Sequence, residues 1–116
     1  MHRKLIEKTK ALLKEERGTI YKSWGGKLPI ALIYPNSYYL GMSNLGFQTV
    51  YKVLNSFPDV VCERGFLPDN EDIPRYLQSK TALFSIESQS PLRNFELIAF
   101  SLSFENDYLN VIKILD

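Results

Sequence analysis

The polar residues best suited to bind a ligand follow the first predicted strand, in the segment PNSYYLGMSN at positions 35–44. Hydroxyl, amide and aromatic side chains are close together there, and the segment leads into a predicted helix whose N-terminus could hold an anion. Ligands of open α/β sheets bind beyond the carboxyl ends of the strands, where this segment falls. A rigid connector that binds nothing is the alternative interpretation. The candidate ligand-binding residues are Asn36, Ser37, Tyr38, Tyr39, Gly41, Ser43 and Asn44.

Acidic and amide side chains at the ends of later predicted strands are further candidates. Glu87 and Ser88 follow one apolar run, and Glu105 and Asn106 follow another. Each pair could either bind a ligand or cap the turn that comes next. Two charged residues, at positions 63 and 64, end the second predicted strand, where an ordinary ion pair or a solvated charge is the alternative to a ligand contact. The sequence does not show that any two of these groups converge.

Familiar catalytic and phosphate-binding patterns are incomplete in the 35–48 region. Two glycines have the spacing of a phosphate-binding loop, but Phe47 and Gln48 stand where its Lys and its Ser or Thr belong. A nucleophile elbow would need a glycine where Leu45 stands. The only histidine is His2, which falls in the predicted N-terminal helix. The sequence therefore predicts no catalytic residue.

The single cysteine, Cys62, lies inside an apolar run. One cysteine cannot form an internal disulfide, and it cannot build a cysteine-based metal cluster within this chain. We therefore expect a buried, inert thiol and predict no metal-binding residue.

The composition indicates one small folded domain, since the chain has 116 residues of which 45% are hydrophobic. A net charge of +1 offers little attraction for nucleic acid or anionic lipid. No apolar run approaches the roughly 20 residues of a membrane span, and the charged N-terminus lacks the apolar core of a signal peptide. We therefore expect a cytoplasmic protein with no nucleic-acid partner and no membrane partner.

Hydrophobic periodicity predicts a helix from His2 to Arg17 and a second helix that begins near Ser43 or Asn44, either of which could cap it, and ends around Asn55. Strands are predicted over residues 27–34, 59–64, 81–87 and 96–104. A loop is expected over residues 35–43, a short helix over 71–79 and a final helix over 106–115. The second helix should bury the apolar residues Phe47, Val50, Tyr51 and Leu54.

This order of elements predicts a flavodoxin-like (Rossmann-like) α/β fold, with a mostly parallel sheet of about four strands flanked by helices. Common doubly wound sheets have five or more strands, and the last helix has no stop signal, so we expect a fragment truncated at its C-terminus. Residues 1–18 should form a separate amphipathic helix and residues 19–116 the α/β domain. The helix could pack on that domain or mediate a homodimer.

Several segments together resemble a known family. They are IALIYPN at 30–36, GMSNLGFQ at 41–48, VVCER at 60–64 with FLP at 66–68, LFSIES at 83–88, PLR at 91–93 and FSL at 100–102. The series resembles the N-terminal region of uncharacterised bacterial radical SAM proteins, whose N-terminal domain is related to the cobalamin-binding fold. The resemblance runs from about residue 28 to the end of the chain.

The resemblance implies a downstream radical SAM domain in the same polypeptide. There, three cysteines spaced CxxxCxxC would hold a 4Fe–4S cluster that binds S-adenosylmethionine, and no catalytic residue of that set is carried over to this chain. Some cobalamin-binding domains ligate cobalt through the His of a DxHxxG loop after the first strand. The corresponding residues here, 35–41, contain no His, so cobalamin is left open only without a His ligand.

These observations favour an N-terminal accessory domain of a radical SAM iron–sulfur enzyme, which would shape substrate or cofactor access to a catalytic barrel outside this chain. The alternative is a stand-alone α/β module that binds another protein or a small ligand, such as a nucleotide, a flavin or a corrin.

Overall fold

Three parallel strands form the central sheet. The computed structural model describes residues 3–16, 18–69, 71–79 and 81–101, together with Ile114. Strand β1 spans Leu28–Tyr34, β2 spans Val60–Phe66 and β3 spans Leu97–Phe100, and they lie in the order β2-β1-β3. The predicted α/β fold with a parallel, helix-flanked sheet is confirmed.

Four α-helices and one 3₁₀ turn accompany the described strands. They are α1 (Arg3–Glu15), α2 (Tyr38–Met42), α3 (Leu45–Asn55), α4 (Ile73–Gln78) and the 3₁₀ turn Leu92–Asn94. Asn44 caps α3, because its side-chain Oδ1 accepts a hydrogen bond from Phe47 N at 2.9 Å. The predicted helices at the N-terminus and after residue 44 are therefore confirmed to within about two residues.

Strand β1 is buried on both faces, which is why its sequence is almost continuously apolar. On one face, Leu32 and Tyr34 pack with Phe47 and Tyr51 of α3. On the other face, the core contains Ala31, Ile33 and Phe95, with Trp24 and Leu92 packed against it. Strand β1 therefore lies between β2 and β3 in the sheet and between two layers of core residues, one on each face.

The prediction of a strand over residues 81–87 is wrong. This segment makes one isolated antiparallel bridge, between Phe84 and Pro91, and its chain then reverses direction. Ser85 N donates to Ser90 O at 2.9 Å across the reversal, and Gln89 has a positive φ of 55°. The segment still lies beside β2, since Ile86 N donates to the main-chain oxygen of residue 64 at 2.8 Å. A chain that turns back within five residues cannot continue as a fourth strand.

Two local predictions on the connection after β1 also need correction. Residues 35–43 are not all loop, because they contain α2, whose first turn is capped by the Ser37 side chain. Val50 is exposed rather than buried, because α3 directs Phe47 and Tyr51 into the core and Val50 lies at the border of that stripe. Short helices with few periodic residues are difficult to distinguish from turns in a sequence.

The predicted final helix over residues 106–115 lies outside the described residues, apart from Ile114, which is helical. Glu105 and Asn106, two of the candidate ligand-binding residues, also lie outside the described part, as does the end of the strand predicted to reach residue 104. None of the described helices combines the length and apolar character that crossing a bilayer requires.

Candidate functional site

A buried arginine near the end of β2 joins three parts of the chain. Arg64 Nε donates to Glu87 Oε2 at 2.7 Å, and Arg64 Nη2 donates to Glu16 Oε1 at 2.8 Å. The Arg64 side chain is only 3% exposed, and its guanidinium carbon lies 4.4 Å from the centre of the Tyr51 ring. Because Glu16 follows α1 and Glu87 lies in the chain reversal beside β2, this arginine ties both segments to the sheet.

Tyr38 extends these contacts to the tip of β2. Its hydroxyl donates to Glu16 Oε2, while the Thr19 hydroxyl donates to Glu16 Oε1 at 2.6 Å. The Tyr38 ring packs edge-to-face on Phe66, the last residue of β2, with ring centres 5.2 Å apart. We call Glu16, Tyr38, Arg64 and Glu87 the arginine network. It brings together two of the predicted site residues, Tyr38 and Glu87, through two charged residues.

The pKa values of the two carboxyl groups in the arginine network are shifted in opposite directions. Burial pushes the pKa of Glu16 upward, but hydrogen bonds from Arg64, Thr19 and Tyr38 together outweigh it and hold that pKa below its usual value. Burial raises the pKa of Glu87, and its bonds to Arg64 and Tyr51 only partly offset this. One guanidinium therefore serves two carboxyl groups, of which Glu16 is the stronger acid.

Glu63 makes a second set of contacts on the opposite face of β2, since neighbouring strand residues point to opposite faces. Its Oε1 accepts hydrogen bonds from the hydroxyls of Ser85 and Ser88, both at 2.6 Å. Its Oε2 accepts one from Trp24 Nε1 at 2.9 Å. The 85–88 segment is thus held to β2 from both faces, and Ser88, a predicted site residue, is part of that attachment.

Most polar side chains of the 35–44 segment bond to the backbone around them. Ser37 accepts from Leu40 N at 3.3 Å, and Ser43 Oγ donates to Tyr39 O at 2.9 Å. Asn36 Oδ1 accepts from Ser37 N at 2.9 Å, and Asn44 caps α3. These contacts match the connector interpretation, and whether any of these residues binds a ligand stays a prediction.

Tyr39 is the exposed aromatic residue of this segment. Its side chain is 67% exposed, and its ring meets the Tyr38 ring edge-to-face, with centres 5.4 Å apart. Since Tyr38 is held by Glu16, the arginine network also orients the helix that carries Tyr39. The segment therefore presents an aromatic surface beyond the carboxyl end of β1.

An iron–sulfur cluster does not fit the described residues. Cluster ligation needs several cysteine thiolates, and Cys62 is fully buried in the α3-facing core. Burial raises the pKa of the Cys62 thiol to about 12, which keeps it protonated. The inert thiol expected from the sequence agrees with this environment.

A cavity of about 290 Å³ lies beside Glu87 and is lined by Lys10, Leu13, Lys14, Tyr21, Glu87 and Gln89. Two other cavities near the strand tips are smaller. One of about 80 Å³ is lined by Gly18, Met42, Gln48, Tyr51, Lys52 and Arg64. Another of about 70 Å³ lies between α1 and the segment that follows β2. Sites for drug-sized ligands have about 300–1,000 Å³. A flavin or a corrin is larger than either of these two smaller cavities, and whether the chain binds one stays a prediction. The sequence offers no histidine in this region as a cobalt ligand.

Three acidic side chains gather after β2, but they already surround an ammonium group. The carboxyl groups of Asp69, Glu71 and Asp72 lie within 4.8 Å of one another. Lys8 Nζ of α1 contacts all three, at 3.2, 3.1 and 2.5 Å respectively. A metal ion would have to displace Lys8, so the cluster acts as the attachment point of α1.

Comparison with known proteins identifies the class to which this chain belongs. Residues 46–116 match the family described as "Radical SAM proteins, N-terminal", and the chain belongs to that family. It is 27% identical over 86 residues to the uncharacterized protein MJ0966 of Methanocaldococcus jannaschii. That alignment covers 74% of this chain but only 15% of the relative. No solved structure matches the chain significantly.

Sequence reasoning missed the roles of several residues that build this region. Glu16 and Lys8 looked like ordinary polar residues of an amphipathic helix, and Ser85 looked like part of a strand. The ion-pair alternative is confirmed for Arg64, whereas Glu63 accepts hydrogen bonds from neutral side chains, and the partners of the two residues lie 22 to 48 residues away. Adjacent opposite charges inside an apolar strand were the available signal, because buried charges need partners.

Proposed function

We propose that this chain is the N-terminal accessory domain of a radical SAM enzyme and shapes access to a catalytic domain later in the same polypeptide. The 4Fe–4S cluster and S-adenosylmethionine would belong to that catalytic domain, and the protein would work in the cytoplasm. Family membership supports the association with radical SAM chemistry. The small share of the relative that this chain covers supports a larger parent protein.

The observation that carries the proposal is the exposed Tyr39 on α2, beyond the carboxyl end of β1. The arginine network holds the neighbouring Tyr38, so α2 is a firmly attached element rather than a free loop. Functional surfaces of parallel α/β sheets lie at this end of the strands. In the proposed role, the chain supplies a rigid aromatic surface and no reacting group.

The test uses the full-length parent protein, reconstituted anaerobically with iron and sulfide. In Tyr39→Ala, iron–sulfur absorption should equal that of wild type, while the rate of 5′-deoxyadenosine formation should change by about tenfold. A well-packed aromatic contact is worth about 1–2 kcal/mol or more, and about 1.4 kcal/mol corresponds to a factor of ten.

Tyr21→Ala is the matched control, since Tyr21 is a tyrosine of similar exposure, 64%, that precedes β1 and lies outside α2. It should leave both the absorption and the rate unchanged. A parent protein that takes up no cluster would refute the radical SAM assignment. Equal effects of the two tyrosine substitutions would refute the role of α2.

A further inference from the structure

The outward face of α3 is largely apolar, and its charged residue, Lys52, is exposed at the edge of that face. Leu45, Thr49 and Val53 follow one another at intervals of four residues and form one row, and Gly46 and Val50 lie beside it. Leu45 is 78% exposed and Val53 is 51% exposed. We call these five residues the α3 face. The exposed side of a surface helix normally carries charged residues, so an apolar outward face indicates a surface that another element covers.

The apolar surface continues at both ends of the helix. Helix α2 contacts α3, and its residue Leu40 is exposed near the N-terminus of α3. Phe57 is exposed just after the C-terminus of α3. The opposite side of α3 is already used, because Phe47 and Tyr51 are buried against the sheet. The α3 face therefore has no packing role within the described part of the chain.

We propose that the α3 face docks on the part of the parent polypeptide that follows this domain. The inference rests on the proposed function and adds the surface through which the accessory domain is attached. The chain covers only 15% of the relative, so most of that protein lies outside the aligned region. The covering surface must be apolar and uncharged where it meets the α3 face, since an unpaired charge would be desolvated at a cost.

The size of the α3 face favours a covalently linked partner over a second copy. An eleven-residue helix is about 16 Å long and about 10 Å wide. Such a face buries far less than the ~800 Å² per partner of independent protein complexes. A partner within the same polypeptide has a high effective concentration, so a small apolar contact suffices to hold it.

The experiment compares limited proteolysis of the full-length parent protein with that of a double variant, Leu45→Asp with Val53→Lys. An acid in the first turn and a base in the last turn suit the helix dipole, so these changes do not weaken α3 itself. Docked and released forms exchange, and cleavage between the domains follows the population of the released form. We expect the double variant to release a fragment of this domain about tenfold faster than wild type.

Leu77→Asp is the control, because Leu77 of α4 is 73% exposed and lies outside the α3 face. It should be cleaved at the wild-type rate. Cleavage of the double variant at the wild-type rate, or equal acceleration in both variants, would overturn the docking proposal. So would light scattering that shows a wild-type dimer converted to a monomer by the double variant, because the face would then join two copies.

Iron–sulfur absorption of the same reconstituted samples separates this inference from the proposed function. A cluster in all samples with unchanged proteolysis contradicts docking alone. Faster proteolysis of the double variant in a protein that takes up no cluster contradicts the radical SAM role and leaves the docking surface supported.

Discussion

At Gly41, α2 passes so close to the end of β2 that a side chain has no space. A Cβ atom there would lie 2.9 Å from Phe66 Cδ1, closer still to Cε1, and 3.2 Å from Tyr34 Cδ2. Both neighbours are ring atoms within the packed region around α3, so neither can move aside freely. A missing side chain at this position therefore allows α2 to pack closely against Phe66 and Tyr34.

Gly41→Ala should destabilise the chain by roughly 1–3 kcal/mol, because overpacking outweighs the gain in helix propensity of about 1 kcal/mol. Urea unfolding followed by circular dichroism measures the difference. Gly25→Ala is the control, since the nearest atom to its Cβ is 3.7 Å away, and it should stay within about 0.5 kcal/mol of wild type. Equal stability of Gly41→Ala and wild type would show that α2 can shift.

On the scale of elements, α1 is attached near its middle and at its end. Leu5 and Leu13 are buried, Lys8 contacts the acidic residues after β2, and Glu16, just past the helix, binds Arg64. The apolar face predicted for α1 is thus used within the chain. A homodimer through this helix, and its separation from the α/β domain at residue 18, stay predictions.

Lys8→Met should lower the free energy of unfolding by about 1 kcal/mol, because three carboxylates would face one another with only Arg75, 3.6 Å from Asp72, left as a cation. Lys8 is 37% exposed, so solvent screens the interaction and keeps the effect modest. Lys10→Met, on the exposed side of α1, should be neutral. Chemical unfolding at low salt and at 1 M salt tests the cause, because the difference between Lys8→Met and wild type should shrink at high salt. A salt-independent loss would instead point to packing.

Across the whole molecule, the arginine network makes the free energy of unfolding depend on pH in two ranges, one set by Glu16 and one by Glu87. The folded-state pKa of Glu16 is below its usual 4.5, so its contribution is present above that pH and is lost as the pH falls through the folded value. The folded-state pKa of Glu87 is raised, so its contribution is present below 4.5 and is lost as the pH rises through the folded value. Loss at acid pH therefore reports on Glu16.

Glu16→Gln should cost roughly 1–3 kcal/mol at pH 7, the worth of hydrogen bonds to a charged group, and the cost should decrease below pH 4.5. Urea unfolding between pH 3 and pH 7 provides the comparison. Glu15→Gln, at the exposed neighbouring position, should follow the wild-type curve. Parallel curves for Glu16→Gln and wild type would show that Glu16 keeps an ordinary pKa in the folded state.

Local patterns were sufficient to predict the fold class and much of the element order. The apolar run of β1, the start of α3 near Ser43 or Asn44 and the periodicity of α3 depend on residues that are neighbours in the sequence, so the sequence alone identified them. The prediction failed at residues 81–87, where an apolar, strand-like run turns back within a few residues. It also failed at Val50, where the rotation of a helix against the sheet decides burial.

The sequence by itself determined that this chain forms a parallel α/β sheet with helices around it, because strand and helix periodicities are local properties. Only the tertiary structure decided that Arg64 holds Glu16 and Glu87, which are 48 and 23 residues away from it. It also decided that the α3 face points outward. Contacts between residues far apart in the sequence depend on how helices pack on the sheet. The spacing of residues along the chain does not determine which side of a helix is exposed.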